Sequence, residues 1–129
     1  MRIIGMTQSL TFYELIGEEA LAELVKHFYD LVYSNERINH LFQNDIEEVK
    51  DKQFRFLCQF LGGPSYYSEK YGHPRMRMRH MPHKISTDSR DAWLENMQFA
   101  IQKTTSIPDE LKTPLYNCFP KLANHMVNT

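Results

Sequence analysis

Glu18-Glu19-Ala20-Leu21-Ala22-Glu23-Leu24-Val25-Lys26-His27-Phe28-Tyr29-Asp30-Leu31-Val32-Tyr33 places Leu21, Leu24, Val25, Phe28, Leu31 and Val32 at three- and four-residue steps. That spacing is one face of an amphipathic helix. Gly17 separates it from a short turn of helix at residues 12–16. Downstream, Ile38, Leu41 and Phe42 form a short link to a second helix, predicted over residues 45–61 with Asp45 as its N-cap. Gly62-Gly63-Pro64 ends that helix with residues that tolerate left-handed geometry and then forbid continuation. Residues 64–73 read as a loop of Pro, Ser, Tyr and Gly. From Ser86 or Asp88, both good caps, a long helix carries Ala92, Trp93, Met97, Ala100 and Ile101 towards Thr104. The last helix is predicted from Thr113-Pro114 to Val127, kinked at Pro120. The chain therefore reads as all-α, with no repeats or linkers.

With 129 residues, 42% hydrophobic and 12% aromatic, the chain fits one domain, residues 1–129, with residues 1–8 expected to fray. Such a domain can bury a core of its own aromatics or enclose a flat aromatic cofactor. Fifteen basic against sixteen acidic residues give a net charge of −1, which argues against bulk attraction to nucleic acid or to acidic membranes. Residues 70–84 nevertheless hold five basic residues and no acidic one. A small helical nucleic-acid-binding module could use that face, although it would leave a buried glutamine unexplained. Cys58 and Cys118 lack C-x-x-C pairing and suit buried or half-buried thiols in a reducing compartment. No apolar run approaches the ~20 residues of a membrane span, and the N-terminus offers no secretory signal. The sequence reading is cytoplasmic, with no membrane attachment.

Pro74-Arg75-Met76-Arg77-Met78-Arg79-His80-Met81-Pro82 sets one histidine among arginines between two prolines. A neutral imidazole can ligate iron, and arginines can neutralise carboxylates at a porphyrin rim. A solvated surface histidine is the commoner outcome for such a stretch, and the Arg/Met alternation would equally suit a strand. A zinc site from His73, His80 and His83 is a third option, opposed by Pro82 and by the lack of a fourth ligand nearby.

Along residues 45–61, Val49, Gln53, Phe56 and Phe60 fall on one stripe, so an uncharged amide sits among apolar residues. A buried Gln needs a partner, either backbone in a plain core or a polar ligand in a cavity. Tyr29 lies at the edge of the first helix's apolar face, and Trp93 begins the stripe it shares with Met97 and Ile101. Tyr O–H and Trp N–H groups are donors that seek acceptors when buried.

Tyr29, Gln53, His80 and Trp93 in an all-α chain of this length resemble the truncated haemoglobins, specifically group II. The resemblance extends from Gly17-Glu18-Glu19 to His125-Met126-Val127-Asn128. It rests on Phe28-Tyr29, Leu41-Phe42, Gln59-Phe60-Leu61-Gly62-Gly63-Pro64, Gly72-His73-Pro74, Arg79-His80-Met81-Pro82 and Asp91-Ala92-Trp93-Leu94. It implies a two-over-two helical sandwich around haem b, with His80 as the proximal iron ligand and Tyr29, Gln53 and Trp93 on the distal side. Val49 would stand where larger globins often hold a distal histidine, and it can neither ligate iron nor donate a hydrogen bond.

By the same resemblance, Phe42 and Phe56 pack on the porphyrin, Lys52 and Arg79 reach its propionates, and Tyr67 lies at its edge with Tyr66 as the alternative. Arg75, Arg77, His83 and Lys84 have no such role and read as solvated charge. Pro120 departs from the family pattern, which leaves the pocket floor near Phe119 and Leu122 open. The ligands implied are O2, CO, NO and peroxide. A redox role (nitric oxide dioxygenase or peroxidase-like) with an unidentified reductase is preferred to oxygen storage, transport or sensing. The protein would act as a monomer or homodimer.

Overall fold

In a computed structural model the described residues are 10–42, 45–75, 78 and 84–128. The first helix, α1 (Phe12–Ile16), is closed by a capping box. Thr11 Oγ1 accepts from the Glu14 amide at 3.1 Å, and Glu14 Oε1 accepts from the Thr11 amide at 2.9 Å. Gly17, at φ +87°, turns the chain into α2 (Glu18–Tyr33). The periodic face of α2 is buried as its spacing predicts, with Leu21, Leu24, Phe28 and Val32 at 0% exposure. Each such side chain contributes about 1.5–3 kcal/mol by leaving water.

A single 3-10 turn, Asn39–Leu41, leads to α3 (Ile46–Phe60), capped by the Asp45 side chain on the Glu47 amide at 3.1 Å. At its end, Gly62 adopts φ +97°. A Cβ there would meet Thr11 Cγ2 at 2.6 Å, so the absence of a side chain lets α1 close against this turn. Residues 64–73, expected as a loop, instead contain α4 (Tyr66–Tyr71). Its support is tertiary: the Gln59 side chain accepts from the Ser68 amide at 3.0 Å and donates to Ser68 Oγ at 2.9 Å.

The long helix α5 (Thr87–Lys103) begins at Ser86, which accepts from the Ser89 amide at 3.1 Å, and ends at Thr104. The predicted last helix is corrected to two, α6 (Asp109–Tyr116) and α7 (Pro120–Met126). Pro120 occupies the first turn of α7, where its missing N–H costs nothing, so it starts a helix and kinks none. The interior proline is Pro114, in α6.

Helix α2 packs on α3 and on α5, and α5 packs on α7 and α6. The pair α2/α3 thus faces the pair α5/α7. Cys58 and Cys118 are free, the first buried and the second half-buried, as expected; burial pushes the Cys58 thiol up to about 11.

Candidate functional site

Between the two helix pairs lies a cavity of about 440 Å³, within the range of small-molecule and cofactor sites. Helix α3 contributes Val49, Lys52, Gln53 and Phe56, at i, i+3, i+4 and i+7 and so on one helical face. Phe60, placed on this stripe from sequence, is 38% exposed. It stacks on Phe56 and Phe119 at 5.4 and 5.9 Å and is not part of the wall. From α2 comes Tyr29, and from the link after it Ile38, Leu41 and Phe42. Tyr67 on α4 and Ile85 close two edges. Helix α5 adds Ser89, Arg90 and Trp93, and α7 adds Leu122, Ala123 and Met126.

The rings that meet here are mutually locked. Tyr29 packs edge-on against Phe28 at 5.0 Å and Phe42 at 5.7 Å, and Trp93 packs edge-on against Phe28 at 5.1 Å and Phe119 at 5.7 Å. Such offset geometries add about 0.5–1.5 kcal/mol per pair beyond burial. Phe119, fully buried, supports the wall from behind, while Leu122 lines it.

The donors are the chemically informative part. Tyr29 is 3% exposed, yet its hydroxyl has no hydrogen-bond partner among the described residues. Burial raises its pKa well above that of an ordinary phenol, so it stays a donor. Gln53 and Trp93 likewise have no hydrogen-bond partner among the described residues. Tyr29 is buried while Gln53 and Trp93 are half-buried, and three polar groups facing one cavity with no partner among the described residues suit a polar ligand. Val49 and Phe42 add no donor.

At the rim, Lys52 Nζ lies 3.5 Å from Glu48 Oε1 and 5.3 Å from the Tyr71 ring centre. Tyr67 is buried and edge-on to Phe56 at 6.1 Å. The alternative, Tyr66, turns away and donates to Glu18 Oε2 at 2.7 Å. Of the other basic residues, Arg75 and Lys84 are exposed. Arg79 and His80 lie outside the described residues, as do Arg77 and His83.

Sequence reading missed Ser89 and Arg90. Both lie on the face of Trp93, four and three positions before it, so helical spacing alone could have found them. Aromatic and aliphatic walls, two cations and a set of unpaired donors suit a flat apolar ring with anionic edge groups and a small polar ligand on its face. Haem has that chemistry, and the residues present fit it.

The family profile described as bacterial-like globin matches residues 11–128. The group 2 truncated hemoglobin YjbI of Bacillus subtilis is 41% identical over 116 residues, which cover 90% of this chain and 87% of that one. The crystal structure of the group II truncated hemoglobin from Bacillus anthracis superposes with a TM-score of 0.88 at 36% identity, covering 95% of each chain. The X-ray structure of a truncated oxygen-avid haemoglobin from Bacillus subtilis gives 0.86 at 40% identity, covering 92% of this chain and all of that one. The chain belongs to the bacterial-like globin family, and within it to the group II truncated haemoglobins with their two-on-two helical fold. It is accordingly a haem-binding, gas-binding globin. No helix among the described residues is long and apolar enough to cross a membrane.

Proposed function

We propose that the cavity holds haem b ligated by His80, and that the protein performs redox chemistry on small gases in preference to carrying oxygen. Haem, when bound, supplies an iron with an open coordination position for a diatomic ligand. The observation that carries the reading is the convergence of Tyr29, Gln53 and Trp93, all without a hydrogen-bond partner among the described residues, on a cavity where Val49 offers no ligating group. A ligand that gains negative charge on binding is held by such donors in a low-dielectric site. Tyr29 and Trp93 do the donating, and Gln53 bonds either to the ligand or to Tyr29.

Donors that hold oxygen firmly make a poor diffusional carrier, and the same donors can polarise peroxide or an oxygen and nitric oxide pair. A relative described as oxygen-avid is consistent with firm retention. The proposed reaction joins one O2 and one NO and consumes one electron to give nitrate, with the electron drawn from an external reductase. Lys52 and Arg79 hold the cofactor's carboxylates, while Phe42, Phe56 and Tyr67 pack on its faces and edge.

The test compares stopped-flow rates for nitric oxide and for peroxide with the oxygen dissociation rate, wild type beside Tyr29→Phe. Fast turnover of either substrate with slow oxygen release is expected. Rapid, reversible oxygen binding with negligible turnover would make the protein a carrier or sensor.

A further inference from the structure

The first turn of α5 places Ser89 and Arg90 on the cavity wall, and neither is needed by the distal-donor argument. Arg90 is held from two sides. Its Nε and Nη2 reach Asp91 Oδ1 at 3.0 and 2.9 Å, and its Nη1 donates to Asn124 Oδ1 on α7 at 2.9 Å. A guanidinium carries five N–H groups. These contacts orient its plane and leave two N–H donors without a protein acceptor among the described residues.

Asp91 does not cancel that charge, because its carboxylate is half exposed to solvent and the pair is screened. Ser89 is 4% exposed, and its Oγ accepts from Ser86 Oγ at 3.2 Å. Its own hydroxyl proton has no acceptor among the described residues. The N-terminal turn of a seventeen-residue helix adds positive potential at the same place.

We propose that Ser89 and Arg90 form an anion-binding corner of the cavity that takes an anionic oxygen group, either a carboxylate of the cofactor or a small oxyanion such as nitrite or nitrate. This rests on the reading of the cavity as a haem site. It adds a third cation to the two, Lys52 and Arg79, assigned to the propionates, and it ties the corner to α7 through Asn124. If the occupant is an oxyanion, the corner serves the nitrogen-oxide chemistry proposed above by receiving its product.

The experiment uses haem-loaded ferric protein as wild type, Arg90→Gln, Arg90→Lys and Ser89→Ala. Absorbance titrations with nitrite and with neutral imidazole are run beside transfer of haem, and of haem dimethyl ester, to an acceptor apoglobin. For an oxyanion occupant, Arg90→Gln weakens nitrite binding by about tenfold or more, the effect of losing a charge-assisted bond. Imidazole binding stays unchanged and Arg90→Lys recovers part of the loss. For a cofactor carboxylate, Arg90→Gln speeds loss of haem by a similar factor, and the difference vanishes with the diester. The inference is overturned if nitrite affinity and haem release stay within about twofold of wild type, or if charged and neutral probes change together. A haem-loaded chain giving that result loses only this inference, whereas a chain that takes up no haem loses the haem reading with it.

Discussion

Four tyrosines of this chain fall into two regions that treat the same phenol in opposite ways. On the outer side of the helices, Tyr13 and Tyr66 both donate to Glu18 Oε2, and Tyr71 donates to Asp51 Oδ2 at 2.7 Å. In the cavity, Tyr29 is more deeply buried and donates to nothing among the described residues. The satisfied set staples α1 and α4 to α2, and α4 to α3, where Asp51 also receives Lys70 at 2.9 Å and Arg55 at 3.0 Å. With α3 fixed from outside, its inner face can carry an unpaired amide at a fixed place. The outer phenols are paired within the protein, whereas the inner one faces the cavity with no partner among the described residues.

The largest effect expected is on the cofactor itself, without which the inner phenol has no ligand to serve. His80→Gly should release haem readily and regain it when imidazole is added, as followed by the Soret absorbance. A normal haem spectrum with no imidazole would remove His80 as the iron ligand and the contrast between the two regions with it.

Next come the inner donors. Tyr29→Phe and Trp93→Phe should each speed oxygen release, because each removes one hydrogen bond to a charged ligand, worth about 1.5–3 kcal/mol or roughly tenfold to hundredfold in rate. Carbon monoxide, a less polar ligand, should be released at a less altered rate. The stability of the apoprotein to denaturant should not fall in Tyr29→Phe, since the hydroxyl removed bonds nothing among the described residues. Equal effects on both gases would point to packing or access and sink the hydrogen-bond argument.

The outer tyrosines should behave in the reverse way. Tyr66→Phe is expected to lower apoprotein stability while leaving oxygen release unchanged. Hydrogen bonds from Tyr13 and then Tyr66 lower the pKa of Glu18. At Asp51, burial opposes ionisation, but bonds from Lys70, Tyr71 and Arg55 outweigh it and hold the carboxyl down to about 2. Both groups are therefore more acidic folded than unfolded. Their stabilisation is complete above the unfolded carboxyl value of about 4. For Asp51 it is lost as pH falls towards about 2, and for Glu18 as pH falls below that unfolded value. Denaturation of the apoprotein between those limits should steepen with acid, and Glu18→Gln should flatten the curve. An unchanged slope in that variant would strip Glu18 of its stapling role.

Periodic burial explains what could be read in advance. Helix α2 buries one face, and α3 and α5 turn theirs to the cavity and core, so Leu21 to Val32, Val49 to Phe56 and Trp93 to Ile101 announce themselves by spacing. Helix α4 did not, because a six-residue segment rich in Tyr and Ser is held by Gln59 and Glu18 from elsewhere in the chain. Pro120 suggests a kink within one helix because a proline at a first helical position looks the same in sequence as one in an interior, and the structure places it at the start of α7. In the site, Tyr29, Gln53 and Trp93 stood out as polar groups on apolar stripes. Ala123 and Met126 did not, since small and apolar residues on a short final helix carry no chemical signal of the wall they form.

Lys52 lies where the two regions meet, and its effect should be the smallest. Its side chain reaches the cavity rim from α3, but Glu48 pairs with it at 3.5 Å and the Tyr71 ring lies 5.3 Å from its ammonium. The chain half-exposes this group, so any attraction to a cofactor carboxylate is screened by salt and shared with Glu48. Lys52→Ala should therefore quicken haem loss only a few-fold, more at low ionic strength than at high, with oxygen release unchanged. A large shift in oxygen release would show that α3 had moved, since Gln53 is the next residue along. Lys52 would then belong with the outer staples that position α3 and not with the groups that meet the ligand.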